Sequence, residues 1–356
     1  MHRSTSHRLD SLAGLLLALT SAGCGSGEES TGASSAEFVR LEEVHAAESA
    51  PSSAGSTPSA SEAAPTAAEL SEVGLRPEAS SSPQPSGVPD LSNGDRAAQT
   101  APHPLDAGAH EAEAIAAIEA KEGARAARIL SDVILGHLRE GGDDRVRLAR
   151  WCALLAQAQS LHRWSKSGAW RSTDLKVKSG DSLIALRKRA LSEHPEALVC
   201  TGQIARVNGL ASETAIRPDD TIRVPLERAS MLVDLSAMWA FYCYADELVV
   251  GWEIGVGKSG SDTRPGVYTI GLKQENPMWS PVGRDPVPFG DPANPLGTRW
   301  LAWYQDGRGT TLGFHGTNDP TSVGKRVSEG CIRMRNEDVE ALFEILPKDA
   351  EVRVQP

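Results

Sequence analysis

One stretch limits what the rest of the chain can become. From Gly25 to Asp106 the sequence is dominated by Ser, Ala, Pro, Gly and Glu, and Phe38 is its only aromatic residue. Such a segment cannot bury enough apolar area to offset the entropy of ordering it, so residues 24–106 are expected to form a disordered tether. The stretch carries 13 acidic residues against three arginines and no lysine, while the formal charge of all 356 residues is −11. The acidity therefore resides in the tether, and the part left to fold is close to neutral. The charge balance describes a solvated, self-repelling linker with a reach of roughly 50 Å, not a preference for a partner. No basic stripe points to nucleic acid.

Ahead of the tether, Arg3 and Arg8 precede the apolar run Leu12 to Leu19, which ends in small residues and Cys24. A charged region, a short apolar region and a small-residue zone are the parts of an export signal, here expected over residues 1–23. The run is too short to span a bilayer. Ser21-Ala22-Gly23-Cys24 resembles a bacterial lipobox, with Ser21 where Leu is usual. That resemblance implies a lipid on Cys24 and a membrane-anchored chain in the cell envelope, facing the periplasm or cell wall. The other reading is an ordinary secretory signal with a chance cysteine.

Residues 107–170 read as helical. Ile115, Ile118, Ala126, Ile129, Val133 and Leu138 approximate one stripe on a helix from Ala109 to about Arg139. Gly141-Gly142-Asp143-Asp144 breaks it and supplies an N-cap. A second helix, from Arg145 to about Trp164, carries Leu148, Trp151, Cys152, Leu155 and Leu161 as apolar positions. The expectation is an α-helical hairpin with Cys152 in its core. Nothing in it has metal-ligand spacing.

Residues 172–226 change character. Leu175-Lys176-Val177-Lys178-Ser179-Gly180-Asp181-Ser182-Leu183 reads as a strand, a tight turn and a capped helix start. A second helix runs into Ile204-Ala205-Arg206-Val207-Asn208-Gly209-Leu210, and Ile216 to Pro225 gives a turn and a closing strand. This small α+β (βααβ) order, with V-K-S-G-D-S-L, N-G-L and I-R-P-D-D-T-I-R-V-P, is similar to the LysM domain. The resemblance implies binding to N-acetylglucosamine-containing glycan strands such as those of peptidoglycan, through the Gly180 turn and the Asn208-Gly209 loop. A longer region than usual, around Ala197 to Thr201, separates the helices.

From residue 230 to 356 short strands alternate with Gly/Pro turns. Met231 to Tyr244 and Glu247 to Val256 read as a strand pair turning at Ala245-Asp246, followed by strands at Val267–Gly271, Trp300–Tyr304 and Gly313–His315. Asn336 to Leu346 fits a helix and Glu351 to Val354 a last strand. The expected fold is a β-rich sandwich-type domain or a barrel. Trp239, Phe241, Tyr242 and Tyr244 read as sheet packing. Gln274 to Gly297, rich in Pro and Gly, is a candidate lid.

The chemistry gathers at His315-Gly316-Thr317-Asn318 and Ser328-Glu329-Gly330-Cys331-Ile332-Arg333-Met334. A thiolate is the nucleophile, so a working Cys331 needs a base or a positive field. His315 is the natural base. Gly330 removes bulk beside the sulfur and lets backbone N–H groups of Gly330 and Cys331 meet an oxyanion. Arg333 is either a structural ion pair or a fork for a substrate carboxylate. Gly316 and Ser328 are the further substrate-binding candidates; Ser328, Asn318 and Asp338 also suit turns or caps.

These motifs resemble the L,D-transpeptidase (YkuD) catalytic family, whose pattern is HG followed by S-x-GC-[IV]-R. Val233-Asp234-Leu235-Ser236 and Thr263-Arg264-Pro265-Gly266-Val267-Tyr268-Thr269-Ile270 are similar to its opening strand and its TPxG turn. The resemblance spans Met231 to Val354. It implies a β-sandwich, Cys331 as nucleophile, His315 as general acid/base, and no metal or organic cofactor. It further implies acyl transfer between peptidoglycan stem peptides, giving 3→3 cross-links through a thioester. The same thioester given to water would make an L,D-carboxypeptidase, and given to an acceptor protein's amine would tether that protein to the wall. A different class, a non-catalytic wall-binding lipoprotein, would fit a substituted Cys331 or His315. Of five cysteines, Cys24 and Cys331 are thus accounted for, leaving Cys152, Cys200 and Cys243, with room for one disulfide.

Overall fold

The computed structural model describes residues 107–356 apart from Ala169, Asp246 and Val282. The expected export signal, Cys24 and the acidic tether lie outside the described residues. Three helices come first: α1 (Ala107–Glu119), α2 (Gly123–Arg139) and α3 (Arg145–Leu161). The single helix expected from Ala109 to Arg139 is two, because the chain turns at Lys121, whose φ is 63°. Gly123 then starts α2 pressed against Leu161 and the Ala158 carbonyl, where a Cβ would not fit. The hairpin is therefore a three-helix unit. Asp144 caps α3, accepting from Arg147 N–H at 3.0 Å.

A βααβ module follows, made of β1 (Ser172–Lys176), α4 (Leu183–Glu193), α5 (Thr201–Val207) and β2 (Thr221–Pro225). β1 and β2 pair antiparallel, with Asp174 opposite Arg223. Ser182 caps α4 through Ala185 N–H at 3.2 Å. The module has its own small core, including Val177, Leu183, Leu186, Ile204, Ile222 and Val224.

The remaining elements are β3 (Ala229–Asp234), β4 (Trp239–Tyr244), β5 (Glu247–Glu253), β6 (Val256–Gly257), β7 (Gly266–Glu275), β8 (Arg299–Gln305), β9 (Arg308–His315), β10 (Arg326–Ser328), β11 (Ile332–Arg333), α6 (Asn336–Ile345) and β12 (Glu351–Gln355). Eight strands form one sheet in the order β11-β9-β8-β7-β12-β3-β4-β5, while β10 and β6 pair with each other in parallel. The expected β-rich domain is a single curled sheet. Its twist accumulates until the two ends meet. Gly255, just past β5, exchanges both backbone hydrogen bonds with Arg333 of β11 at 2.8 Å. That seam is where the His315 and Cys331 motifs fall.

The two-residue period of the strands explains the packing. Met231, Val233, Ala240, Tyr242 and Tyr244 face inward, onto Trp303, Phe314, Ile332, Met334 and the α6 residues Val339, Leu342 and Ile345. Their neighbours Leu232, Trp239, Phe241 and Cys243 face outward, onto the three helices. β3 and β4 are therefore buried on both faces, which is why they read as one unbroken apolar run. The run is a hairpin: Asp234 Oδ1 accepts from Ala237 N–H (2.8 Å) and from the Ser236 hydroxyl (2.7 Å), and Met238 takes φ 57°.

The βααβ module is seated on this sheet rather than hung from it. The Glu344 carbonyl of α6 occupies the space a Cβ on Gly202 would need, and Gln203 donates to the Tyr242 hydroxyl. Arg163, just after α3, ties the junction by pairing with Glu227 at 2.6 Å and Glu247 at 3.0 Å. Among the described residues no disulfide forms, and no helix is long and apolar enough to cross a membrane.

Candidate active site

β11 lies beside β9 in parallel, with Ile332 opposite Phe314 and Arg333 opposite His315. Ile332 and Phe314 are both in the core. Alternation then puts Cys331, Arg333 and His315 together on the opposite face, which the sequence spacing alone could not show. The Cys331 Sγ donates to the Thr311 carbonyl at 3.2 Å. Burial pushes this thiol up to about 11, with a backbone contact from Gly313 and the Arg333 charge acting in the other direction.

His315 is buried at 4% exposure. Its Nδ1 lies 2.6 Å from the Gly316 carbonyl. A carbonyl oxygen only accepts, so Nδ1 carries the proton and Nε2 keeps its lone pair. Burial lowers His315 to about 4; the Gly316 contact opposes that shift and the Arg333 charge adds to it. At neutral pH the resting pair is thus a thiol and a neutral imidazole, not a thiolate beside an imidazolium.

The loop before Cys331 is a hydrogen-bonded frame. Ser328 is buried, and its hydroxyl donates to the Cys331 carbonyl at 2.6 Å. The Gly330 N–H, expected among the oxyanion donors, donates to Ser328 Oγ at 3.2 Å. Ser328 therefore braces the loop and does not face substrate. Gly330 itself has φ 111°, a region open to glycine and closed to side chains. The Cys331 N–H has no acceptor among the described residues.

Gly316, a substrate-binding candidate in the sequence, is packed into the frame. It is buried, its carbonyl holds His315, and the Asn336 side chain fills the space beside its Cα. Asn336 was read only as a helix start. Its Oδ1 accepts from Thr317 N–H (3.0 Å) and Thr298 N–H (3.3 Å), and its Nδ2 donates to the Thr317 carbonyl (3.1 Å). It locks the turn that carries His315. Asn318 serves the expected lid, donating to the Pro292 carbonyl at 2.8 Å. The lid is held in shape by buried Asn294, which donates to the carbonyls of Pro277, Val287 and Pro288. Trp300, unflagged by any motif, sits 6.0 Å from the His315 ring.

Arg333 was open between an ion pair and a ligand fork. Among the described residues no carboxylate pairs with it, and its Nε is buried without a hydrogen-bond partner. Gly330 also lines a cavity of about 460 Å³, together with Ser261, Arg264, Tyr268, Thr311 and Glu329 among others. Glu329 crosses its rim to Lys258 and to the Ser261 hydroxyl (2.8 Å). No group of His, Cys, Asp and Glu among the described residues is arranged to hold a metal ion.

Comparison with known proteins falls on this same region. Residues 228–354 match the model of YkuD, the L,D-transpeptidase catalytic domain. YqjB of Bacillus subtilis, named as an L,D-transpeptidase, is 38% identical over 104 residues, which is 29% of this chain and 57% of that protein. YkuD of Bacillus licheniformis, also so named, is 39% identical over 111 residues, 31% of this chain and 56% of its own length. ErfK/SrfK of Escherichia coli, likewise named, is 33% identical over 152 residues, 38% of this chain and 47% of its own length. The chain thus spans about half the length of these relatives. The curled sheet from residue 228 to 354 is the part of the chain that matches the L,D-transpeptidase catalytic domain.

Proposed function

We propose that the protein is a peptidoglycan L,D-transpeptidase that forms 3→3 cross-links through a thioester on Cys331. The observation that carries this reading is the register of β11 on β9, which sets Arg333 opposite His315 and so brings Cys331, one residue before β11, to the His315 face, in a stretch that matches the catalytic domain. The donor is a tetrapeptide stem. Cys331 Sγ attacks the carbonyl that joins its third residue to the terminal D-Ala, and the thiol proton passes to His315 Nε2. The carbonyl electrons move onto oxygen, beside the Cys331 N–H. A donor so placed contributes roughly 3 kcal/mol. Collapse breaks the C–N bond; the D-Ala amine takes the proton from His315 and leaves, and a thioester remains. The side-chain amine of a second stem then attacks, and the sulfur departs and recovers a proton. No metal or organic cofactor enters these steps.

With Cys331 and His315 both neutral at rest, the thiol gives up its proton to His315 as it attacks. Arg333 supplies an unpaired guanidinium for a stem carboxylate. The βααβ module, LysM-like in sequence, would hold glycan strands. The lipid on Cys24 and the tether would let the enzyme reach the wall from the membrane.

The test is analysis of products when the chain is incubated with disaccharide-tetrapeptide fragments. A cross-linked dimer with released D-Ala is expected. Tripeptide without dimer would make the enzyme an L,D-carboxypeptidase, and a stem joined to a protein amine would make it a protein-to-wall ligase. Retained glycan with no new product would leave a non-catalytic wall-binding protein.

A further inference from the structure

We propose that Thr263 is a positioning residue for acyl transfer: its hydroxyl grips the Gly330 carbonyl and so aims the Cys331 N–H at the developing oxyanion. The inference rests on the reading of Cys331 as an acyl-transfer nucleophile, but not on any particular peptide substrate.

Thr263 lies in the loop between β6 and β7, far from Cys331 in sequence. It is buried at 4% exposure. Its Oγ1 is 2.8 Å from the Gly330 carbonyl and 3.0 Å from the Gly257 N–H. The carbonyl can only accept, so the hydroxyl proton is committed to Gly330 and a lone pair receives Gly257. Gly257 lets the loop fold back this closely, because a Cβ there would meet the Ser261 carbonyl and Thr263 N.

The consequence follows from peptide geometry. The Gly330 carbonyl and the Cys331 N–H belong to one planar trans unit and point in opposite directions. Fixing the oxygen fixes the N–H. The two flanking peptides are held independently: Ser328 Oγ accepts from the Gly330 N–H of the preceding one, and the Ser328 hydroxyl donates to the Cys331 carbonyl of the following one. Gly330 sits between them at φ 111°, without a side chain to resist rotation. Without Thr263, the only described side-chain contact on the Gly330–Cys331 peptide plane would be gone. The N–H could then swing, although the sulfur would stay where Thr311 and β9 hold it.

The experiment uses the full chain and p-nitrophenyl acetate, a generic activated acyl donor, so that it does not depend on the stem-peptide reading. Attack by Cys331 forms an acetyl thioester and expels p-nitrophenolate; the Cys331→Ala chain supplies the background. Iodoacetamide alkylation of the same sulfur, which develops no oxyanion, is the control. Thr263→Val is expected to slow the acylation burst roughly 10- to 100-fold while Cys331 is alkylated at the wild-type rate. Thr263→Ser, which keeps the hydroxyl, is expected to stay within about threefold in both reactions. Acylation by Thr263→Val at the wild-type rate would overturn the proposal. So would an equal slowing of acylation and alkylation, which would mean that the sulfur itself had moved. If Thr263→Val does not fold, Thr263→Ser decides: a burst slowed more than tenfold in that folded variant, with alkylation unchanged, would also count against a role carried by the hydroxyl.

Discussion

The seam around Cys331 and the turns of the βααβ module make an instructive pair. Both are glycine-containing loops with a motif that stands out in the sequence. In the module, Asn208 of the N-G-L motif spends its whole side chain on the fold: Nδ2 donates to the carbonyls of Ile204 and Arg223 (2.8 Å each), and Oδ1 accepts from Arg223 N–H (2.9 Å). At the seam the motif residues divide. Ser328, Gly330 and Gly316 are consumed by the frame, while the Cys331 N–H and the Arg333 Nε are left over. A leftover polar group in a tight, buried frame is costly to keep and informative to find. The lesson is that motif membership marks a constrained residue, and hydrogen-bond accounting shows which of these residues are committed to the frame.

Substitutions can break this contrast. The largest effect is expected at His315. His315→Gln should lower acyl transfer by about 10²- to 10⁴-fold while leaving the sheet intact, measured as kcat on a stem peptide. The same variant should change the acid limb of stability. The folded imidazole is held at about 4, below its ordinary 6.5, so the unfolded chain binds more protons between those values. Stability should therefore fall as pH drops from 6.5 to about 4, by up to roughly 3 kcal/mol. A denaturation series over that range should lose this component in His315→Gln; an unchanged slope would mean that the histidine is not buried neutral.

Cys331 gives the next test. With the thiol held at about 11, its alkylation by iodoacetamide should climb steadily through pH 7 to 10. A plateau near neutrality would reveal a preformed thiolate–imidazolium pair. Arg333→Lys keeps the charge but loses the planar fork, and should cost about tenfold in kcat/KM at unchanged melting temperature. A fall in melting temperature instead would return Arg333 to the structural role. The smallest effect on chemistry is expected at Asn208. Asn208→Ala should destabilise the module by about 1–3 kcal/mol, seen in denaturant melts, with little change in turnover of a soluble stem peptide.

Much of this was legible in the sequence, for identifiable reasons. The motif residues at the seam were found because a thiol, a histidine and glycines at fixed spacing have few bland explanations. Trp239, Phe241, Tyr242 and Tyr244 read correctly as sheet packing, since an unbroken apolar and aromatic run needs cover on both faces. The hairpin inside Met231 to Tyr244 was hidden because both faces of β3 and β4 are covered, which erases alternation. The break at Lys121 was hidden because a lysine at positive φ has no composition signal. The roles of Ser328, Gly316, Asn336 and Thr263 were illegible for a different reason. Each acts through partners distant in the chain, and only the closure of the sheet brings Gly255 to Arg333 and Thr263 to Gly330.

The most direct test of the central claim is the intact mass of the full chain, quenched in acid after mixing with a disaccharide-tetrapeptide. A transient species heavier by the donor less D-Ala is expected, located on Cys331 and absent from Cys331→Ala. Cross-linked product appearing with no added mass on the protein at any time, or appearing undiminished in Cys331→Ala, would contradict it.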